Sequence, residues 1–396
     1  MLKLREALKL IRDLVNPLAP KEVPIVDANG CRLMQEVVAE IDTPPFDNSA
    51  MDGFAFRHAD FSGEGPWTFQ VMDIIAAGDR PATKLLPGNT VKIMTGAPII
   101  DGSDTVIKIE SVSFQDGNVI VKDKPPLGMN VRPRGEDISK GANLFSKGDI
   151  LSAVDLGLLA STGMRKVKVV PRPSLSLIAT GSELIQPGNP LEFGQIYDSN
   201  RITIQNLLKN NGFYNISSTT ASDDYTTLKK MIEKQLSDHD LIITIGGVSM
   251  GDFDHVPLLV KELGGEVVFH KVFMKPGKPI FLAEFTSNSL NSKWLVGLPG
   301  NPVSAIVSYH TFVKKILTEL MDLPPSIITS KAILAEEIIV KSGRLKIIGV
   351  KVTEEKDGLK AYPIGRQSSG RLSSMKDANA FIQIEPDIEQ LPANSK

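Results

Sequence analysis

Apolar residues recur at helical spacing at the start of the chain. Leu4, Ala7, Leu8, Ile11 and Leu14 fall on one helical face, and Pro17 ends the pattern. From about residue 44 to residue 131, short β-rich runs are instead separated by Gly, Pro and Asp. This change predicts an N-terminal helix followed by a small β domain. The strands that we expect in that domain are 67–75, 90–94, 105–110 and 117–121.

The pattern returns to a helix followed by a strand over 151–170, and from Pro173 strands alternate with helices. Such alternation predicts a mostly parallel sheet with crossover helices, whose ligand sites lie outside the carboxyl ends of the strands. The expected strands are 175–180, 241–245, 266–272, 279–285 and 294–300. The expected helices are one from about residue 200 capped by Ser199, then 225–236, 255–263, and 302–320 capped by Asn301. After Pro324-Pro325 the chain again has β character.

These patterns predict an α/β multidomain protein. Its central α/β domain would occupy 171–322, and a small β-rich domain inserted at 44–137 would interrupt an elongated N-terminal α+β domain formed by 1–43 and 138–170. A C-terminal β-barrel-like module would occupy 323–396. A chain of 396 residues is long enough for several such domains.

Composition narrows the classes of function. The formal net charge of −2 gives no global basic field for nucleic acid, and the single cysteine, Cys31, excludes an intrachain disulfide and a thiolate zinc site. We find no run of 18 or more apolar residues and no signal-peptide pattern, so we expect no membrane association and a cytoplasmic location.

Two strands of the α/β region end in glycine loops that carry acids. Strand 175–180 runs into TGSEL, with Thr180, Gly181 and Glu183, and strand 241–245 runs into GGVSMGDFD, with Gly246, Gly247, Ser249, Asp252 and Asp254. Backbone N–H groups at such glycines suit a phosphate, although a tight turn without a ligand is an equally good interpretation. A carboxylate beside a phosphate is unfavourable unless a cation lies between them, so we expect an anion and a divalent metal together. The alternative is that these acids cap helices.

Several other segments concentrate polar residues. Lys271, Lys275 and Lys278 surround a Pro-Gly turn in KVFMKPGKP, where lysines suit phosphate or another oxyanion, although a solvated loop is the alternative. The LPGNP turn, with Pro299 and Gly300, suits a phosphate or a pterin-like ring, but helix capping explains it equally. Four further segments remain. PPFDNSAMDGFA from residue 44 has a turn as its alternative, and TGAP from residue 95 has a strand end. RPRGEDI from residue 132 has a surface ion-pair cluster as its alternative, and GRQSSGRLSS from residue 365 has a hairpin loop.

Taken together and in this order, the motifs resemble those of the molybdopterin molybdenumtransferase (MoeA) family, whose relatives include the E domain of gephyrin. The matching stretches are PPFDNSAMDGFA, MTGAP, RPRGEDI, TGSEL, GQIYDSN, GGVSMGDFD, KPGKP and LPGNP. The resemblance implies insertion of molybdate into adenylylated molybdopterin with release of AMP, assisted by Mg2+. It also implies an elongated homodimer whose site is shared between subunits, and it names a molybdopterin adenylyltransferase as a partner to expect.

The resemblance also assigns site residues. It implies catalytic roles for Asp52, Thr95, Glu183, Asp254, Lys271 and Lys275, with Mg2+ held by Glu183 and Asp254. It implies substrate binding by Asp137, Thr180, Gly181, Asp223, Gly246, Gly247, Ser249, Lys278, Pro299, Gly300 and Ser369. The chain departs from the family in 343-GRLKIIGVKV-352, which offers no clear equivalent of an arginine that the family often carries there.

Three other interpretations compete with this one. A competence-damage-type hydrolase would share the TG-E-L and GG loops but would lack the PPFDNSAMDG segment. A non-catalytic molybdopterin-binding scaffold would bind without turnover. A tungstate-inserting homologue would have the same motifs, and the sequence does not separate it from a molybdate enzyme.

Overall fold

The computed structural model describes residues 1–81, 84–248, 255–286, 292–325, 329–341, 343–365 and 367–395. The chain divides into two compact units: unit 1 contains Met1–Lys21 and Val170–Lys396, and unit 2 contains Glu22–Val169. The four-domain division stays a prediction, and the compact units group the N-terminal helix with the α/β region.

Helix α1 (Leu4–Leu14) forms where the apolar spacing predicts it. Its buried residues Leu4, Ala7 and Ile11 lie on the predicted face. It packs against the last helix of the α/β region, and the Leu18 N–H that follows it donates to the Leu320 carbonyl at 2.9 Å. This packing explains why the helix belongs to unit 1.

Unit 2 is built almost entirely from short strands. They are β1 (Lys21–Pro24), β2 (Arg32–Leu33), β3 (Val37–Val38), β4 (Asn48–Ser49), β5 (Gly53–Phe56), β6 (Trp67–Ile75), β7 (Asn89–Ile93), β8 (Thr105–Lys108), β9 (Ser113–Gln115), β10 (Asn118–Val121), β11 (Val131–Arg132), β12 (Asn143–Phe145) and β13 (Lys166–Val170), with helix α2 (Ala153–Ser161) before β13. The predicted strands of the inserted β domain are confirmed, and the prediction missed β4, β5, β9 and β11.

A six-stranded sheet organises the middle of unit 2, with strand order β8-β5-β7-β6-β10-β9. Its residues alternate between two cores, since Phe54 and Phe56 pack with Phe61 and Phe69 on one face while Ala55 packs with aliphatic residues on the other. Smaller sheets, β1-β13-β2, β12-β3 and β11-β4, hold the segments that lead into and out of it.

The α/β region of unit 1 follows the predicted alternation. Its strands are β14 (Leu175–Thr180), β15 (Leu184–Ile185), β16 (Ile196–Tyr197), β17 (Ile216–Ala221), β18 (Leu241–Ile245), β19 (Glu266–His270), β20 (Met274–Lys275), β21 (Phe281–Phe285) and β22 (Lys293–Leu298), and its helices are α3 (Ser199–Asn210), α4 (Tyr225–Asp238), α5 (Val256–Glu262), α6 (Pro302–Ser308) and α7 (Lys314–Leu320). The main sheet has the order β17-β14-β18-β22-β21-β19. The first four strands are parallel and the last two pairings are antiparallel, so the sheet is mostly parallel, as predicted.

Two predicted helix details are wrong. Helix α3 is capped by Asp198 and not by Ser199, because the Asp198 carboxylate accepts from the Arg201 N–H at 3.1 Å while Ser199 is already helical. The predicted helix 302–320 is interrupted by a π-helical turn at Tyr309–Val313, and Asn301 makes no side-chain capping hydrogen bond. One inserted residue in a π turn changes the apolar spacing too little for a periodicity argument to detect it.

The C-terminal region of unit 1 is a β module. Its strands are β23 (Ile333–Leu334), β24 (Ile338–Ile339), β25 (Leu345–Glu355), β26 (Gly358–Pro363), β27 (Ala380–Ile384) and β28 (Gln390–Leu391). Strand β25 pairs with β26 and β27 and also with β20 of the α/β region. This last pairing joins the KPGKP turn to the C-terminal module.

Candidate functional site

The carboxyl ends of β14 and β18 lie side by side. The two strands are parallel neighbours, and all eleven of their residues are buried. At the end of β14, the Thr180 hydroxyl donates to the Ile245 carbonyl at the end of β18, at 3.2 Å. The structure therefore brings the TGSEL and GGVSMGDFD loops to one edge of the sheet, as the sequence predicts.

Glycine is required at the turn that follows β18. Gly246 and Gly247 have φ of +90° and +67°, a region that favours glycine. A Cβ on Gly246 would lie 2.8 Å from both the carbonyl and the hydroxyl oxygen of Thr180. The two glycines thus allow the backbone after β18 to pass close to the end of β14.

The backbone donors here are less available than the sequence suggested. The Gly246 N–H donates to the Leu298 carbonyl at 2.9 Å, and the Gly181 N–H donates to the Ala221 carbonyl at 3.1 Å. Our expectation that these amides face a phosphate is therefore wrong for both residues. Their contribution is to hold the edge of the sheet together.

Two carboxylates flank Ser182 at this edge. The Glu183 Oε2 atom lies 2.6 Å from the position that a Cβ on Gly181 would take, so Gly181 makes room for that carboxylate. The Ser182 N–H donates to Asp223 Oδ2 at 3.2 Å, and the Asp223 N–H donates to the Ser182 hydroxyl at 3.4 Å. The structure thus places Glu183 beside Gly181 and Asp223 beside Ser182, at the loop that follows β14. The predicted residues Ser249, Asp252 and Asp254 lie outside the described residues.

The LPGNP turn is held from three sides. The Gly300 carbonyl accepts from Asn200 Nδ2 at 2.6 Å, and a Cβ on Gly300 would lie 3.9 Å from the Gly246 Cα atom. The Val303 N–H at the start of α6 donates to the Ser369 carbonyl at 3.0 Å. Ser369 therefore contacts this turn through its main chain. Sequence reasoning missed Asn200, although its place in the GQIYDSN motif was the available signal.

The lysine segment meets further basic residues in the C-terminal module. Lys275 of β20 lies opposite Lys346 of β25 in register, and Lys275 and Lys278 are both exposed. Burial, followed by the nearby charges of Lys275 and Arg344, lowers the pKa of Lys346 from its ordinary value. Lys271 has a φ of +73°, which is uncommon for a residue other than glycine. Sequence reasoning missed Lys346, because the pairing of β20 with β25 joins residues far apart in the chain.

Unit 2 contains the remaining predicted site residues. Asp52 Oδ1 accepts from the Thr95 N–H at 2.7 Å and from the Thr95 hydroxyl at 2.8 Å. These two hydrogen bonds hold the pKa of Asp52 below its ordinary value. Asp137 lines a groove, and its main-chain N–H donates to the Thr43 carbonyl at 3.0 Å. Asp52 and Thr95 are thus direct partners.

Two features are absent from the part of the chain that the structure describes. No group of three or more His, Cys, Asp or Glu side chains there is arranged to hold a metal ion. No helix there is long and apolar enough to cross a membrane.

Models of three families match successive parts of the chain. They describe the MoeA N-terminal region (domain I and II) at residues 2–163, a probable molybdopterin binding domain at 176–319, and the MoeA C-terminal region (domain IV) at 331–396. Together these matches extend over both units.

Named relatives are similar over nearly the whole chain. Molybdopterin molybdenumtransferase 2 of Mycobacterium tuberculosis is 32% identical, and the match covers 100% of this chain and 98% of the relative. Molybdopterin molybdenumtransferase of Haemophilus influenzae is 33% identical, with 96% and 93% covered. The crystal structure of the molybdopterin biosynthesis MoeA protein of Pyrococcus horikoshii superimposes with a TM-score of 0.71 at 31% identity, covering 99% of this chain and 97% of that one.

Proposed function

The chain belongs to the MoeA family, and from that premise we propose that it is a molybdopterin molybdenumtransferase of molybdenum cofactor biosynthesis. Its substrates would be adenylylated molybdopterin and molybdate, and its products would be the molybdenum cofactor and AMP. Hydrolysis of the phosphoanhydride by water would release the AMP and leave the other phosphate on the molybdopterin, while the dithiolene sulfurs take the metal.

The observation that carries this proposal is the pair of carboxylates at the edge of the parallel sheet. Glu183 and Asp223 flank Ser182 beside the turn formed by Gly246 and Gly247. Ligands of open α/β sheets bind outside the carboxyl ends of the strands. A nucleotide phosphate beside two carboxylates requires a cation between them, because like charges repel at close range.

These residues fit Mg2+, which proteins commonly hold through one or two carboxylates together with substrate phosphates. We assign Glu183 as a ligand, with Asp254 as the second ligand that the family resemblance implies. Asp223 is held in the same loop region by its hydrogen bonds with Ser182. When bound, Mg2+ would neutralise charge on the phosphoanhydride that is cleaved. Thr180, Gly181, Gly246, Gly247, Ser249, Pro299 and Gly300 would shape the surface on which the nucleotide lies.

The basic residues supply the complementary positive charge. Lys271, Lys275 and Lys278 would neutralise phosphate or the incoming oxyanion, and Lys346 lies beside Lys275 in the paired strands. Preorganised charge of this kind is usually the largest contribution to catalysis. Lys346, with Arg344 nearby, offers the positive charge that the family often supplies by an arginine in this segment. Ser369, held at the start of α6, would add a hydroxyl to this oxyanion site.

Asp52, Thr95 and Asp137 would complete the site in a homodimer, in which unit 2 of one subunit serves the site of the other. We also propose a cytoplasmic location and an encounter with a molybdopterin adenylyltransferase, since that class of enzyme makes the adenylylated substrate. No nucleic acid or membrane partner is proposed.

The proposal is tested by incubating the protein with adenylylated molybdopterin, Mg2+ and either molybdate or tungstate. We expect AMP release coupled to formation of the metal-containing cofactor, and omission of Mg2+ should abolish it. Binding of the substrate without AMP release would instead favour the scaffold interpretation. A strong preference for tungstate would identify the tungstate-inserting homologue.

A further inference from the structure

Unit 2 contains a groove of about 490 Å³ that is lined by both apolar and polar atoms. Its lining residues are Thr43, Pro44, Asn48, Arg132, Glu136 and Asp137. Of these, only Asp137 was expected at a site from the sequence. The volume lies within the range of pockets that bind small organic molecules and is far larger than a single metal ion requires.

The walls of this groove are fixed by main-chain hydrogen bonds between two segments. The Thr43 N–H donates to the Ile138 carbonyl at 2.8 Å, and the Gly135 N–H donates to the Pro44 carbonyl at 2.9 Å. Strand β4 pairs with β11, which places Asn48 opposite Arg132. The lining side chains therefore project from a rigid frame, and a ligand would meet them already positioned.

The charged side chains of the groove make no ion pairs or hydrogen bonds with other described side chains or with the main chain of the described residues. Within the described residues, Arg132, Glu136 and Asp137 have no side-chain ion pair or hydrogen bond. Their neighbour Arg134, in contrast, donates from Nε to Asp42 at 2.6 Å and from its main chain to Asp47 at 2.7 Å. The structural role in this segment thus belongs to Arg134, which leaves one guanidinium and two carboxylates for a ligand.

Asn48 is an independent sign of a ligand. It is only 8% exposed, and its Oδ1 atom is buried without a hydrogen-bond donor among the described residues. The hydroxyl of Thr43 is buried without a partner in the same way. Buried polar atoms are nearly always paired, so two unpaired ones at one groove need an explanation outside the fold. A ligand or bound water would supply it.

We propose that this groove binds the pyrimidinone edge of a pterin; naming the ring as a pterin rests on the proposed function. That edge presents two adjacent N–H donors, at the 2-amino group and N3, followed by the O4 acceptor. A carboxylate accepts two parallel N–H bonds well, and a guanidinium donates to a carbonyl oxygen. Asp137 would take the two donors, Arg132 would donate to O4, and Asn48 would hydrogen-bond the ring at the base of the groove.

The binding test uses the full-length protein and neopterin, a fluorescent pterin that carries the same edge but has no phosphate, dithiolene or metal. We expect neopterin to bind, and Asp137→Asn and Arg132→Gln each to weaken binding at least about tenfold, the loss expected for a charge-assisted pair. Both side chains lack intrachain partners, so the thermal unfolding temperature should not change. Lumazine, in which an oxo group replaces the 2-amino group of unsubstituted pterin, should bind at least about tenfold more weakly than pterin itself. AMP should not compete.

The buried amide is tested by a matched pair of substitutions. Asn48→Leu is nearly isosteric and removes an unpaired buried atom, so it should weaken neopterin binding without lowering the unfolding temperature. Thr90→Val is the control, because the Thr90 hydroxyl is buried in the same unit but donates to the Ala55 carbonyl at 2.8 Å. This control should lower the unfolding temperature and leave neopterin binding unchanged.

Several results would overturn the inference. The first is failure of the wild-type protein to bind neopterin at millimolar concentration. The second is an affinity for neopterin in the Asp137→Asn or Asn48→Leu variant that equals that of the wild type. The others are binding of lumazine as tight as that of pterin, and displacement of neopterin by AMP. Unchanged affinity in Asn48→Leu would mean that the buried Asn48 amide is paired by water and not by the ligand. Wild-type AMP release measured in parallel separates the two proposals. If the protein releases AMP but does not bind neopterin, only the inference about the groove is contradicted. If it binds neopterin through the groove residues but releases no AMP, only the proposed function is contradicted.

Discussion

At the residue scale, single ionisable groups are controlled by a few identifiable neighbours. Asp52 is exposed, yet two donors of Thr95 bind the same oxygen and lower the pKa of the carboxyl group. The second oxygen, Oδ2, is then left as the atom that can act on a substrate. Thr95 on this account is a positioning residue that acts through Asp52.

We predict that Thr95→Val raises the pKa of Asp52 part of the way back to its ordinary value. The reason is that the substitution removes the hydroxyl donor and keeps the N–H donor. Because the folded-state pKa is depressed, both hydrogen bonds are fully present above the ordinary carboxyl pKa and are lost as the pH falls through the folded-state value. The carboxyl 13C shift of labelled aspartate, followed against pH, measures this. Thr95→Ser should retain the wild-type value, and an unchanged titration in Thr95→Val would refute the assigned cause.

His310 gives a second prediction at this scale. Burial, with a smaller effect of Lys314, lowers its pKa from 6.5 to about 4. Between these two pH values His310 is protonated in the unfolded chain but not in the folded chain. The free energy of unfolding should therefore fall as the pH is lowered from 6.5 towards 4. The shift corresponds to about 3 kcal/mol in the free energy of unfolding.

Urea unfolding at a series of pH values checks this, with His310→Phe as the comparison. The variant keeps an aromatic ring between Tyr309 and Phe381. It should lose less stability than the wild type over the same range of pH. Parallel losses in the two proteins would exclude His310 as the source.

At the element scale, the site depends on how closely the loops approach one another. Gly246 lies against Thr180 and near Gly300, and Asn200 fixes the Gly300 carbonyl. Helix α3, which carries Asn200, is itself held by the buried Asp198, whose carboxylate accepts from Arg201 Nε at 2.8 Å and from the Thr220 hydroxyl at 3.0 Å. The GQIYDSN motif thus stabilises the edge of the sheet through the hydrogen bond of Asn200 to the Gly300 carbonyl.

We predict that Gly246→Ala destabilises the protein and impairs AMP release, because its Cβ would lie 2.8 Å from two Thr180 oxygens. The left-handed backbone costs about 1–2 kcal/mol for a residue other than glycine, and the crowding adds about 1–3 kcal/mol. Gly188→Ala is the matched control, since Gly188 also has a positive φ, +98°, but nothing lies within 4 Å of its added Cβ. Denaturant unfolding of both variants separates the two costs. Equal destabilisation would show that close approach at Gly246 is not the constraint.

Sequence periodicity could predict most of these helices and strands, and particular residues show which features it could not predict. Strands β14 and β18 are wholly buried, mostly apolar runs that are followed by glycine, which is a strong signal. The free glycine amides were wrongly expected, because the acceptors at Leu298 and Ala221 come from other strands. Lys346 was missed for the same reason, since strand pairing between distant segments leaves no local pattern.

At the scale of the whole molecule, the ordered motifs carried more information than any single one. The predicted family and fold class are confirmed by matches over residues 2–163, 176–319 and 331–396. The homodimer with a shared site and the roles of the individual site residues stay predictions. They concern contacts with a second chain or with ligands, which local sequence patterns do not encode.

The shared site is tested by complementation between two inactive variants. If Asp52 of one subunit and Glu183 of the other form one site, a mixed dimer of Asp52→Ala and Glu183→Ala contains one intact site and one doubly altered site. Random mixing should then restore about a quarter of the wild-type rate of AMP release, since half of the dimers are mixed. Light scattering should show a dimer throughout. A mixture as inactive as its components would contradict sharing.

The most direct test of the central claim is the rate of AMP release from adenylylated molybdopterin with Mg2+ and molybdate, in the wild type and in Glu183→Gln. The claim is that Glu183 supports a metal-assisted step at the edge of the parallel sheet. We predict release by the wild type with one molybdenum bound per AMP, and a loss of about 10²–10³ in rate for Glu183→Gln at an unchanged unfolding temperature. Glu192→Gln, which alters an exposed carboxylate in the connection between β15 and β16, should retain the full rate. No release by the wild type, or a full rate in Glu183→Gln, would contradict the account.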